Sequence, residues 1–145
     1  MDSHLRKLCV ALLAASAGIA CAAEAERNWF DDPFFQVSSA VAACPTPAGP
    51  FVTEREKQAQ SHRRAERGTT CWLAGRCDRP SSYHYDRDIA AALHAALARS
   101  SAMADTSLWV TVQGRVVNME GCAQRAASVE KIEALTRSTP YVSNL

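Results

Sequence analysis

Leu108, Val110 and Val112 alternate with Trp109 and Thr111, the period of two expected of a strand that buries one face. Gly114-Arg115 interrupts the run before Val116-Val117-Asn118-Met119-Glu120, and a two-residue Gly-X loop predicts a hairpin with a type II′ turn, the glycine supplying the positive φ. In that register Gln113 faces Val116, Val112 faces Val117 and Val110 faces Met119. Leu108, Val110, Val112, Val117 and Met119 then share one apolar face, and Gly121-Cys122 closes the second strand. A helix is predicted on each side of the hairpin. Asp86 caps the first, Asp88 to about Arg99, whose Ile89, Leu93 and Leu97 stack at every fourth residue with His94 beside the stripe. The second runs from Ala123 to about Arg137 with Ala126, Val129, Ile132 and Leu135 on one side. Ser138-Thr139-Pro140 ends it, and Tyr141-Val142-Ser143-Asn144-Leu145 can form a short last strand.

Upstream the pattern is less regular. Asp31 or Asp32 before Pro33 is a sound helix start, and Phe34, Val37 and Val41 recur at helical spacing, which predicts a short helix to about Ala43 that docks an apolar stripe. Cys44-Pro45-Thr46-Pro47-Ala48-Gly49-Pro50 is a stiff connector, because its prolines remove donors and fix backbone angles. Thr53 with Glu56 forms a capping box, opening a helix to about Arg67 that stops at Gly68. That helix has almost no apolar face. Its Arg55, Lys57, Arg63, Arg64 and Arg67 stand against Glu54, Glu56 and Glu66. They read either as an exposed face laced with ion pairs or as contacts for an anionic surface, where each Lys or Arg is worth about 1 kcal/mol.

At the N-terminus Arg6 and Lys7 precede an apolar stretch from Leu8 to Ala20, too short to span a bilayer, and Ala20-Cys21-Ala22 supplies a small-residue cleavage site. Residues 1–22 therefore read as a secretory signal peptide, with the mature chain beginning near Glu24. Gly18-Ile19-Ala20-Cys21 also resembles a lipobox, which would anchor the protein through a lipidated Cys21. Cleavage takes Asp2, Arg6 and Lys7, so 16 basic and 15 acidic residues become 14 of each, a balance that gives no reason to expect nucleic-acid binding. It also takes Cys9 and Cys21, so six Cys become four, and an even number in an oxidising compartment favours disulfides. Four Cys allow three connectivities. The short spacing pairs Cys71 with Cys77, and parity then leaves Cys44 with Cys122. A zinc site would want tighter spacing with ligand-like His, and a redox pair would want C-x-x-C. No catalytic, cofactor or metal motif is expected: the chain has no H-E-x-x-H and no phosphate loop, and Asp31-Asp32 reads as a helix cap.

The stretch Val110-Thr111-Val112-Gln113-Gly114-Arg115-Val116-Val117-Asn118-Met119-Glu120-Gly121 resembles the hairpin of the BON domain, named for bacterial osmotic-shock and nodulation proteins, which reads roughly V-x-V-x-N-G-x-V-x-L-x-G. Val110, Val112, Val117, Met119 and Gly121 fall on its apolar and glycine positions, while Gly114-Arg115 stands where the family has Asn-Gly. The resemblance covers 60 of 145 residues. It implies an α+β fold: an αββαβ unit over 86–145, a three-stranded mixed sheet with two helices on one face, preceded by a helical, Pro- and Cys-containing segment over 23–85. It further implies an exported, non-enzymatic module of the bacterial envelope, periplasmic or secreted, that binds phospholipid or another envelope component. Trp29, Phe30 and Trp109 join the basic helix as contact candidates, with Trp109 placed on the sheet as a packing residue. The alternative role is structural, docking another exported protein without lipid.

Overall fold

Residues 106–112 form a strand buried on both faces, and the rest of the fold is built around it. In the computed structural model, which describes residues 24–143, β2 (Thr106–Gln113) pairs antiparallel with β3 (Val116–Ala123) in the register predicted by the alternation, Val110 opposite Met119 and Val112 opposite Val117. The signal peptide expected over residues 1–22, with Cys9 and Cys21, lies outside the described residues, as do the last two residues.

The turn differs from the expected type II′. Gly114 and Arg115 both take positive φ, +61° and +70°, which is the type I′ combination. The cause lies in Asp86, whose carboxylate accepts from the Gly114 N–H at 2.6 Å and the Arg115 N–H at 2.7 Å. Those bonds hold both amides toward one acceptor and offset the strain of a left-handed Arg, of order 1 kcal/mol. Asp86 is accordingly not a cap but the first residue of α3 (Asp86–Ala98), and no side chain caps that helix.

Ile89, Leu93 and Leu97 of α3 are fully buried against Leu108, Val110 and Val112, with Ile132 of α4 (Ala126–Ser138) closing the same layer. Both helices therefore cover one sheet face.

The third strand comes from the N-terminal segment. Residues expected to be helical instead form β1 (Phe34–Ser39), antiparallel to β2 with a bulge between Gln36 and Ser38, giving the order β1-β2-β3. The sheet is thus wholly antiparallel, not mixed. Phe34 and Val37 fit a helical stripe, but Phe35 and Val37 also pack on the core when read as a strand, and β2 decides between the readings. Its free edge, buried on both faces, would otherwise leave backbone groups unpaired at about 1–3 kcal/mol each. With β2 paired on both sides, the expected closing strand finds no place beside it. Pro140 and Tyr141 form a turn instead, and beyond it the Ser143 N–H bonds the Arg115 carbonyl.

The remaining N-terminal segment covers the second sheet face. Trp109 and Thr111 are buried there, and Phe34 meets Phe51 edge-on at 5.9 Å. Disulfides join Cys44 to Cys122 and Cys71 to Cys77. α1 (Glu54–Glu66) begins at Thr53 with the reciprocal capping box that the sequence predicts, and the short α2 (Thr69–Leu73) follows it.

Candidate functional site

α1 has no apolar stripe, so something other than hydrophobic burial must hold it. That anchor is Arg64. The residue is only 8% exposed, and its guanidinium forms a two-pronged ion pair with the buried carboxylate of Asp32, one arm at 3.0 Å. The rings of Phe30 and Tyr83 lie 3.9 and 3.8 Å from the same guanidinium on cation–π contacts. Asp32 also accepts from Gln113 Nε2 at 2.7 Å, which ties the assembly to the end of β2. Asp32 was expected to serve as a helix cap; with no helix there, it serves this ion pair instead.

The five basic candidates consequently separate. Arg64 is a structural anchor and cannot meet a surface. Lys57 is half-buried and rests over Trp29 at 4.7 Å, while the Trp29 indole N–H donates to the Val52 carbonyl at 2.8 Å. Arg55, Arg63 and Arg67 are exposed. Of the aromatic candidates, Trp29 and Phe30 are half-buried in these contacts and Trp109 is buried on the sheet. The sequence marked the arginines as a charge run, but an Arg that plugs an aromatic-lined carboxylate looks the same as one in solvent. Only the neighbouring Phe30 and Asp32 could have signalled the difference.

Next to this anchor stands the Asp86 clamp on the hairpin turn. Burial pushes the Asp86 carboxyl above its ordinary range, the two turn N–H groups pull it back, Asp32 adds to the rise and Arg64 opposes it. A shallow pocket of about 290 Å³ connects the two carboxylates, bounded also by His84 and Arg87.

A more apolar surface lies on the far side of the hairpin. Val129 of α4, expected on its buried stripe, remains 43% exposed, and Ala126 is exposed too. Between α4 and β3 run two grooves of about 370 and 390 Å³, both bordered by Met119 and Glu133, one reaching Val142 and the other Val129. Asp105 steadies this side by accepting from Arg125 Nε at 2.6 Å and from Ser128 Oγ at 2.8 Å, next to the start of α4. Those bonds, Arg125 first, lower the Asp105 carboxyl below its ordinary range.

A hairpin with apolar positions at Val110, Val112, Val117 and Met119, a Gly121 pressed on the partner strand and a helix before and after it are now all in place. Residues 85–145 match the family model of the BON domain. The BON segment thus starts at Tyr85, one residue before the helix that clamps the hairpin, and it points to an envelope- or membrane-associated role for the protein. It contains two of the three strands. The third, β1, and the Arg64 anchor are supplied from outside it. Comparison with curated proteins and with solved structures finds no match. Among the described residues, no helix is long and apolar enough to cross a membrane.

Proposed function

We propose that the protein is an exported, non-enzymatic envelope module that binds anionic phospholipid surfaces through the exposed face of α1. The observation that carries this reading is the BON match over residues 85–145 combined with the fate of the basic residues: Arg64 fixes α1 to Asp32, which Gln113 of the BON segment also bonds, and this leaves Arg55, Arg63 and Arg67 exposed, Arg67 lying beside the hairpin turn at Gly114. A helix held by one buried arginine presents the others without first ordering itself, so less entropy opposes binding. Three surface arginines, each worth about 1 kcal/mol near an anionic leaflet, give weak, salt-sensitive association. The protein reaches that surface after removal of residues 1–22, or stays on it through Cys21.

Co-sedimentation with phosphatidylglycerol-containing vesicles tests the reading. Binding at low salt that fades at high salt, and that falls by about tenfold or more in R55A/R63A/R67A, is expected. Equal binding by that variant, or no binding by the wild type, overturns it. The open groove beside β3 supports a second reading, a protein partner docking on α4 and the β3 edge. Loss of a periplasmic partner from V129D, with vesicle binding intact, would favour it.

A further inference from the structure

The Cys71–Cys77 loop is the most outward apolar feature of the described residues, and neither its position nor its chemistry is used by the contacts above. α2 buries none of its residues. Trp72 is 45% exposed and Leu73 is 73% exposed, the largest exposure among the large hydrophobic residues, and the two are adjacent in sequence. An apolar pair held in water is costly unless something covers it, and about 25 cal/mol is lost for each Å² left uncovered.

The loop is also firmly mounted. A disulfide closes it. At its base Gly68 approaches Ser82 so closely that a Cβ would lie 2.6 Å from the Ser82 nitrogen, and the Ser82 N–H donates to the Arg67 carbonyl at 2.9 Å. Cys77 Sγ in turn sits 3.8 Å from a terminal guanidinium nitrogen of Arg115 at the hairpin turn. The tip is therefore presented by a support that reaches into the BON segment.

Charge decides which partner fits. Inside the ring the sole charged residue is Arg76, which is exposed, and the loop follows directly on the last turn of α1 with exposed Arg63 and Arg67; Glu66 and Asp78 are the acidic residues nearby in sequence. Exposed Trp and Leu beside Arg match the headgroup boundary of an anionic bilayer, where an indole sits at the interface, Leu enters the acyl region and guanidinium meets phosphate.

We infer that the disulfide-closed loop inserts Trp72 and Leu73 into the interface of an anionic phospholipid bilayer, with Arg76 on the phosphates. This rests on the phospholipid reading of α1 and adds to it the part of binding that salt does not remove. Trp72 is also a native reporter, since Trp29 and Trp109 are better covered.

The test uses the oxidised protein and vesicles of phosphatidylglycerol and phosphatidylethanolamine, with phosphatidylcholine vesicles as control and brominated acyl chains as quencher. Wild-type emission should be quenched on the anionic vesicles. W72S/L73S, checked for unchanged circular dichroism and melting, should lose the quenching and bind about tenfold more weakly even at high salt. C71S/C77S should fall between the two. Wild-type binding without quenching, together with equal binding by W72S/L73S, overturns the insertion and leaves the α1 reading standing. Absence of wild-type binding overturns both. Unchanged vesicle binding by W72S/L73S with loss of a co-purifying protein assigns the loop to a protein contact and likewise overturns the insertion.

Discussion

Two aspartates show how one side-chain type acts in opposite senses. Asp105 is held below its ordinary carboxyl range by Arg125 and Ser128, whereas Asp86 is pushed above it by burial. A lowered folded value contributes stability that is present above the unfolded value, about 3.9, and is lost as pH falls through the folded one. A raised folded value does the reverse: its contribution is full below the unfolded value and disappears as pH climbs through the folded one. Urea unfolding across acidic pH should therefore give wild-type-minus-variant differences of opposite slope, growing with pH for D105N and shrinking with pH for D86N. Parallel slopes would show that the two environments had been misread. Gly121 gives a purely steric case. A Cβ there would strike the Ser107 carbonyl oxygen and crowd the Leu108 Cα, all backbone of the neighbouring strand. G121A should cost about 3 kcal/mol or more and separate β3 from β2, read as a lowered denaturation midpoint. G114A should cost only about 1–2 kcal/mol, because the left-handed turn is strained but the nearest atoms belong to the movable Arg67 side chain.

Helices and strands differ in what fixed them, and that is where the sequence was and was not legible. α3, α4 and the hairpin follow from their own periodicity, since Ile89, Leu93 and Leu97 or Val110 and Val112 reach the core wherever the rest of the chain goes. β1 does not. Phe34, Val37 and Val41 suit a helix on local spacing, and the vacant edge of β2, some 70 residues away, draws Phe34 and Val37 into a strand by offering backbone partners, with Val41 in the loop beyond it. The turn type escaped for the same reason, because Asp86 acts on Gly114 and Arg115 from across the fold. The candidate site was half legible: the basic run on α1 was visible, the exclusion of Arg64 from its surface was not. R64A tests that assignment at the level of the element. Without it the Asp32 carboxylate stays buried with only Gln113 bonded to it, so the variant should lose about 3–5 kcal/mol, and amide exchange should accelerate throughout α1 while α3 keeps its protection. A loss under 1 kcal/mol would place Arg64 among the surface residues after all.

At the scale of the whole molecule, the question is why a BON segment of this size carries an N-terminal segment nearly as long. The αββαβ order alone would bury too little apolar surface for comfortable stability, and here the closing strand is absent from β2 among the described residues. The N-terminal segment answers both needs: β1 completes the sheet, Phe34 opposite Thr111 packs on Gly49 and Phe51, and Arg64 docks α1 on Asp32. Cys44–Cys122 then locks the arrangement, since it links the residues just after β1 to the end of β3 across a sequence separation of 78. In the chain-entropy account a loop of that length is worth about 4.5 kcal/mol, against about 2.4 kcal/mol for the separation of 6 between Cys71 and Cys77. The two links should thus be distinguishable by function as well as size. C44S/C122S should lower stability by about 4 kcal/mol and expose β1 and the second sheet face to amide exchange, with Trp109 emission shifting to longer wavelength. C71S/C77S should cost about half as much, leave β1 protected and affect mainly the vesicle contact of Trp72. Equal destabilisation by both variants, or retention of β1 protection in C44S/C122S, would mean that the sheet holds its N-terminal strand by pairing and packing alone.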